Sequence, residues 1–236
     1  EIGSGLVGSE MCIRDSCMWL KGVVMKAHYN GLIPRNPFIQ FHISPNVKER
    51  EYLTEDELKA VMTHEFADSK LAYIRDIFIF ASFTALSFVD IQELTNDNIV
   101  EVNGEKWILS KRHKTKVAFQ VKLLDIPLQI VERYRPMQKD NRIFPGLNYW
   151  SICKPLKRMI RECGITKSIS FHCSRHGFAT LALSKGMPIE SVSRVLGHTN
   201  IVTTQLYAKI TTQKLDNDLT MFGDKLSKTF NGITMS

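Results

Sequence analysis

The sequence predicts a mostly helical α+β fold with one small three-stranded antiparallel sheet, and three observations carry that prediction. Asn103-Gly104 stands between two runs of strand-forming residues, 99–102 and 106–110, and Asn-Gly in that setting is the strongest short hairpin signal. Ahead of the hairpin, Leu71 to Leu86 is apolar nearly all round, the pattern of a central buried helix. Beyond Pro127 the spacing is helical, with Gly164, Gly186 and Gly197 as stops. Helices, then a meander, then helices is an α+β order.

Taken in order, residues 1–16 are set outside the fold as a non-native leader, because Val7–Ser16 (VGSEMCIRDS) resembles a translated adapter sequence. Cys17 to Asn30 places Leu20, Val23, Val24 and Ala27 at helical i, i+3, i+4, i+7 spacing, and Gly31 with Pro34 and Pro37 ends that helix. Residues 17–45 read as this helix plus a linker, and 46–236 as the main domain. Thr54-Glu55-Asp56-Glu57 is a capping-box pattern that starts a helix running to about His64. Val117–Leu124 supplies the third strand, joined to the second by the basic turn Lys111–Lys116. A helix from Phe171 runs to Gly186, the next one ends at Leu196-Gly197, and Asn200 caps another over Ile201–Ala208. Residues 211–229 are helical and amphipathic.

The chain has 236 residues, 44% of them apolar, with 31 basic and 24 acidic side chains. That is enough to bury a core. Its longest apolar stretch, Ile74 to Val89, is broken by Arg75 and Asp76 and falls short of the roughly 20 residues a membrane span needs. Five cysteines, odd in number and without a CxxC pair, read as free thiols in a reducing cytosol. The net charge of +7 is unevenly spread: residues 111–175 hold 15 basic and 4 acidic side chains, an excess of +11. A block of that kind is the electrostatic footprint for a polyanion, or else a solvated basic face. Within it Lys154, Lys157, Arg158 and Arg161 form a helical stripe suited to tracking a phosphate backbone, as are Lys111, Arg112 and Lys116 in the turn.

The chemistry concentrates in three places. His172 and Arg175 lie three apart and so share a face at a helix start, where the helix dipole also favours an anion. His172 and His176 have i, i+4 spacing, but no acidic residue stands where a metal-binding HExxH helix needs one, so metal is not the reading taken. Leu196-Gly197-His198 follows, and Tyr207 lies nine residues after His198.

Together, HxxR, LGH and the spaced tyrosine resemble the tyrosine recombinase family, the phage-type integrases. The match extends to Phe83-Thr84-Ala85-Leu86 before Asp90, to His113-Lys114-Thr115, and to Thr203–Ala208, covering about residues 50–215 in order. Residues 19–37 resemble the last helix of that family's N-terminal core-binding domain. The resemblance implies the recombinase catalytic-domain fold and double-stranded DNA as partner, acted on by a homotetramer on paired sites that is weakly associated or monomeric without DNA. It implies strand cleavage and rejoining with no cofactor, metal or ATP. It makes Tyr207 the nucleophile, Arg175, His172 and His198 the phosphate-binding and proton-handling groups, and Lys114 the donor to the leaving 5′ oxygen. A phenol's ordinary pKa is near ~10, so attack by Tyr207 requires loss of its proton. Mobile-element integration or excision is the expected biology; a type IB topoisomerase-like enzyme and a DNA-binding accessory protein without activity are the alternatives.

One position departs from the pattern. Where the family has Thr-Gly-Leu-Arg, this chain has Thr84-Ala85-Leu86-Ser87, and Ser87 brings no charge. Removing one such donor typically costs about 10²–10³ in rate. Either the enzyme is impaired, or a cation comes from elsewhere, or the chain belongs to a subgroup of mobile-element integrases that tolerates serine. Arg75 is one candidate, about 18 Å up the same predicted helix, with pairing to an acidic neighbour as its other reading. Asp90 is expected to orient neighbours.

Overall fold

The computed structural model describes residues 6–40, 51–113, 116–138, 140–208 and 212–229, in two compact units, Glu1–Glu49 and Arg50–Ser236. The first unit contains α1 (Leu6–Tyr29), closed by Gly31 at φ +72°. The helix therefore starts upstream of the expected Cys17 and includes residues of the adapter-like stretch.

The second unit opens with α2 (Glu55–Thr63), capped as the sequence predicts: Glu57 N–H donates to Thr54 Oγ1 at 3.3 Å, and Thr54 N–H donates to Glu57 Oε2 at 2.7 Å. Next comes α3 (Ser69–Thr84), whose Leu71, Ile74, Ile77, Phe78 and Phe80 are almost wholly enclosed. Around it pack α2, α5 (Asp125–Tyr134), α6 (Tyr149–Glu162) and α7 (His172–Ser184). An all-round apolar helix is stable only when neighbours cover every face, and these four do so. T-shaped aromatic pairs such as Phe80–Phe144 and Phe78–Phe171 fill the contacts.

The expected helix to Leu86 stops two residues early. Ala85 adopts the left-handed conformation at φ +56° and caps α3, and Ser87 then starts a separate short helix, α4 (Phe88–Gln92). Ser87 is its N-cap, with Asp90 N–H on Ser87 Oγ and Ser87 N–H on Asp90 Oδ2, each at 3.3 Å. The apolar pattern could not reveal this break, because Ala85 and Leu86 remain fully buried after the turn.

The sheet is β1 (Ile99–Val102), β2 (Glu105–Lys111) and β3 (Ala118–Lys122), antiparallel in that order. Val102 pairs with Glu105 across Asn103-Gly104, whose φ angles of +53° and +77° are those of the hairpin turn Asn-Gly favours. Alternation puts Ile108, Ser110, Phe119 and Val121 on one face of β2 and β3, where Ile108 and Val121 pair and Ser110 pairs with Phe119. Ile108, Phe119 and Val121 are core residues.

After α7 come α8 (Ile189–Leu196), α9 (Val202–Gln205) and α10 (Thr212–Thr229). Asn200 Oδ1 accepts from Val202 N–H at 2.9 Å, but Ile201, not Asn200, is the N-cap, and the helix is four residues long, not eight. Leu215, Leu219, Met221, Phe222 and Leu226 of α10 are exposed. Among the described residues no helix is long and apolar enough to cross a membrane, and Cys17, Cys153, Cys163 and Cys173 are free thiols.

Candidate functional site

The site forms where the ends of α3, β2 and α8 meet the start of α7. Arg175, one turn into α7, is 9% exposed; Nη1 donates to the Ala85 carbonyl at 2.8 Å and Nη2 to the Leu196 carbonyl. The left-handed cap of α3 and the last turn of α8 are thus bridged by one planar fork, which suits a guanidinium and not an ammonium. Burial lowers the Arg175 pKa to about 10, and the charge of Arg112 nearby adds to the fall, while Tyr207 and Asp90 oppose it.

His198 follows the α8 cap. Gly197 holds φ +63°, and a Cβ there would lie 3.0 Å from Arg112 Cγ and Nε; both the dihedral and the close approach favour glycine. His198 Nδ1 lies 2.9 Å from Oγ1 of the enclosed Thr204. Burial, then the charges of Arg175, Arg112 and His172, push the His198 pKa down to about 4. At neutral pH the ring is therefore uncharged. A folded pKa below the unfolded value of 6.5 means that this group's contribution to stability is complete above pH 6.5 and is lost as pH falls toward 4. Ring ¹⁵N shifts should titrate with a midpoint near 4, and a midpoint near 6.5 would refute this environment.

Tyr207 lies just past α9. It packs with the buried cluster Ala85, Ala179, Leu183, Val192 and Leu196, with its ring 5.1 Å from His176. His176 in turn lies 4.7 Å, edge to face, from His172. The i, i+4 spacing that first suggested a metal pair instead runs a ring contact from exposed His172 through His176 to the tyrosine. His176 is the residue the motif reading missed; its helical spacing on the face of His172 was the available signal. No group of three or more His, Cys, Asp or Glu side chains fit to hold a metal occurs among the described residues.

Asp90 is 8% exposed and collects four donors: Ser87 Oγ at 2.8 Å, Ser87 N–H, Arg112 Nη1 at 2.8 Å and His113 N–H at 3.0 Å. Burial raises its pKa, but the His113, Arg112 and Ser87 hydrogen bonds outweigh that and hold it below the ordinary value. Beside it, a cleft of about 250 Å³ is lined by Ser87, Val89, Tyr149, Ser170, His172 and Arg175.

One expectation needs correction, and the two readings of Arg75 are separated. Arg112 is not a surface contact: it is 5% exposed, and its guanidinium lies 4.1 Å over the Phe119 ring. Its position, even-numbered with Ile108 and Ser110, puts it on the inner face of the sheet. Arg75 is held by groups near it on α3 and after α2. Nε bonds Asp76 at 2.9 Å and Nη1 bonds the His64 carbonyl at 2.9 Å, which is the acidic-neighbour reading. Lys111, Lys116, Lys154, Lys157, Arg158 and Arg161 are all exposed, with Arg158 shared between Glu162 at 2.8 Å and Asp68 at 3.4 Å. Lys114 lies outside the described residues.

Comparison with known proteins identifies the family. The phage integrase family model matches residues 51–214. Tyrosine recombinase XerA of Pyrococcus horikoshii is 32% identical over 177 residues, spanning 69% of this chain and 58% of that protein. Tyrosine recombinase XerD of Listeria innocua is 26% identical over 204 residues, 79% of this chain and 67% of that protein. The chain thus spans about three fifths to two thirds of the length of these relatives. Among solved structures, the Tn1549 transposon integrase in complex with a circular intermediate DNA superposes with a TM-score of 0.74 at 17% identity, over 89% of this chain and 78% of that one. A lambda integrase dimer bound to a core site gives 0.62 at 19% identity, over 80% and 69%. With its mostly helical fold, its three-stranded sheet and a family match over more than two thirds of its length, the chain belongs to the phage integrase family of tyrosine recombinases.

Proposed function

We propose that this chain carries the catalytic domain, residues 46–236, of a site-specific DNA recombinase serving a mobile element, with residues 17–45 the end of a core-binding domain and 1–16 a non-native leader. The observation that carries the reading is the gathering of Arg175, His198, His176 and Tyr207 around the ends of α3 and α8. Tyr207 Oη passes its proton to His172 and attacks the scissile phosphorus, forming a phosphotyrosyl bond to the 3′ side and breaking the bond to the 5′ oxygen. That oxygen leaves as a hydroxyl after taking a proton from Lys114. A 5′-hydroxyl of the partner strand reverses the step: it gives its proton to Lys114 and bonds the phosphorus, Tyr207 leaves and recovers its proton from His172, and the bond energy is conserved. Arg175 neutralises charge that grows on the non-bridging oxygens. His172 donates to the same oxygens. His198, neutral in the free protein, donates through one ring nitrogen while Thr204 holds the other. Lys111, Lys116, Lys154, Lys157, Arg158 and Arg161 bind the DNA backbone, which contributes affinity without sequence information. The working assembly is a homotetramer on paired sites in the cytoplasm, with exposed α10 as its exchange element.

The test is a duplex nicked beside the scissile phosphate, so that the cleaved 5′ fragment diffuses away and the covalent intermediate accumulates. A denaturation-resistant protein–DNA band is expected, with the nucleotide mapped to Tyr207 by mass spectrometry. No band, or a nucleotide on another residue, overturns the proposal and leaves a binding protein whose activity lapsed with Ser87. Strand exchange between paired sites, set against plasmid relaxation, separates recombination from topoisomerase action.

A further inference from the structure

The site described above carries two buried arginines, and the family pattern accounts for only one of them. We infer that Arg112, reaching in from the end of β2, supplies the positive charge that position 87 lacks, and so is the second cation of the phosphate site. This rests on the strand-cleavage reading.

Four observations converge. First, Ser87 and Arg112 meet on one atom: Ser87 Oγ and Arg112 Nη1 each donate to Asp90 Oδ2 at 2.8 Å. The carboxylate adjoining position 87 is therefore paired with a guanidinium from another element. Second, Arg112 is anchored beside the catalytic turn, with Nη2 on the Val195 carbonyl at 2.5 Å and its stem 3.0 Å from where a Cβ of Gly197 would stand. Arg175 holds the next carbonyl, that of Leu196. The C-terminal pole of α8, which attracts cations, thus gathers both guanidiniums immediately before His198. Third, the Nε of Arg112 is enclosed and finds no hydrogen-bond partner among the described residues, an expensive arrangement for a charged donor. Fourth, the Arg112 charge reaches the proposed reacting groups, depressing the pKa of both Arg175 and His198.

The charges in this cluster do not cancel. Among the described residues one carboxylate, Asp90, faces two guanidiniums, so the cluster holds an excess of one positive charge in a site of low dielectric. Such an excess disfavours the free protein and favours an anion, most of all one whose charge increases during reaction. With Nη1 on Asp90, Nη2 on the Val195 carbonyl and Nε enclosed, its effect runs through space and through the Asp90 and α8 ends that it holds. It is a positioning residue, with no contact to the phosphate required. Ser87 in exchange starts α4 as an N-cap, a place where serine is favoured.

The test uses the full chain and two nicked duplexes, one with an ordinary scissile phosphodiester and one with a methylphosphonate there, which removes the negative charge that a cation would balance. Arg112→Ala is expected to slow formation of the Tyr207 adduct by about 10²–10³-fold on the phosphodiester while DNA affinity changes little. On the methylphosphonate most of that deficit should disappear. Ser87→Arg placed in the Arg112→Ala background should recover cleavage of the phosphodiester, since it returns a guanidinium to Asp90. An equal deficit on both substrates, or no deficit, overturns the proposal and leaves Arg112 a structural clamp. If Arg112→Ala does not fold, Arg112→Gln carries the same comparison, keeping side-chain length and amide donors without the charge. The wild-type adduct, absent in Tyr207→Phe, establishes strand cleavage independently, so failure at Arg112 is distinguishable from failure of the cleavage reading.

Discussion

On the proposed mechanism Arg175→Ala is expected to lower strand cleavage by about 10²–10³-fold, and it should also weaken the fold, because the same guanidinium bridges two structural elements. Its Nη atoms bridge the carbonyls of Ala85 and Leu196, and both residues are fully enclosed. With the side chain gone, water has no ready access to either carbonyl, and each unpaired group costs about 1–3 kcal/mol. The loss in DNA binding should be smaller than the loss in cleavage, since the exposed lysines and arginines of β2 and α6 remain. Arg175→Lys keeps the charge but offers no planar fork for two carbonyls. It should therefore recover part of the affinity and little of the rate. Adduct kinetics beside equilibrium binding decide this: equal falls in both would remove Arg175 from the transition state.

Asp76→Ala should produce the largest loss of stability away from the site. Asp76 is 3% exposed and accepts from Arg75 Nε at 2.9 Å, Arg133 Nη1 at 2.7 Å and Tyr134 Oη at 2.8 Å. Removing it strands the charge of Arg75, whose side chain is 16% exposed, whereas Arg133 at 54% exposure rehydrates. The expected cost is about 3 kcal/mol, the lower end for breaking a buried pair. At about 2–4 °C per kcal/mol for a unit of this size, the melting temperature should fall by roughly 6–12 °C. Below that lowered transition, cleavage per folded molecule should match wild type, because Asp76 ties α3 to α5 through Arg133 and Tyr134 while Arg75 is held by Asp76 and the His64 carbonyl. A selective loss of cleavage without a shift in melting would reverse that assignment.

These two arginines show why the site was only partly readable beforehand. Arg175 is recognisable from sequence because its chemistry is local: a helix start, a histidine three residues earlier, and a glycine-ended helix with another histidine downstream. Arg112 carries the same functional group, but its sequence neighbours are Lys111, His113, Lys114 and Lys116, so a basic-turn reading sends it outward with them. The strand alternation from Ile108 through Ser110 was the signal pointing inward. It was outweighed by the ordinary preference of arginine for solvent, which the Asp90 carboxylate and the Phe119 ring reverse. His176 was legible as the helical neighbour of His172 but not as a contact of Tyr207, since α7 and the segment after α9 meet only on folding.

The sequence by itself determined the class of fold, the three-stranded meander, the capping box of α2, the glycine stops and the family to which the chain belongs. Each depends on interactions within a few residues, or on a motif whose spacing is written in the chain. Tertiary structure decided where α3 ends, which side of the sheet takes Arg112, and that Arg112 meets Asp90 and Arg133 meets Asp76. Those outcomes depend on packing between segments tens of residues apart. There, the gain from pairing a buried charge with Asp90 or Asp76 outweighs the local preference of either partner for water.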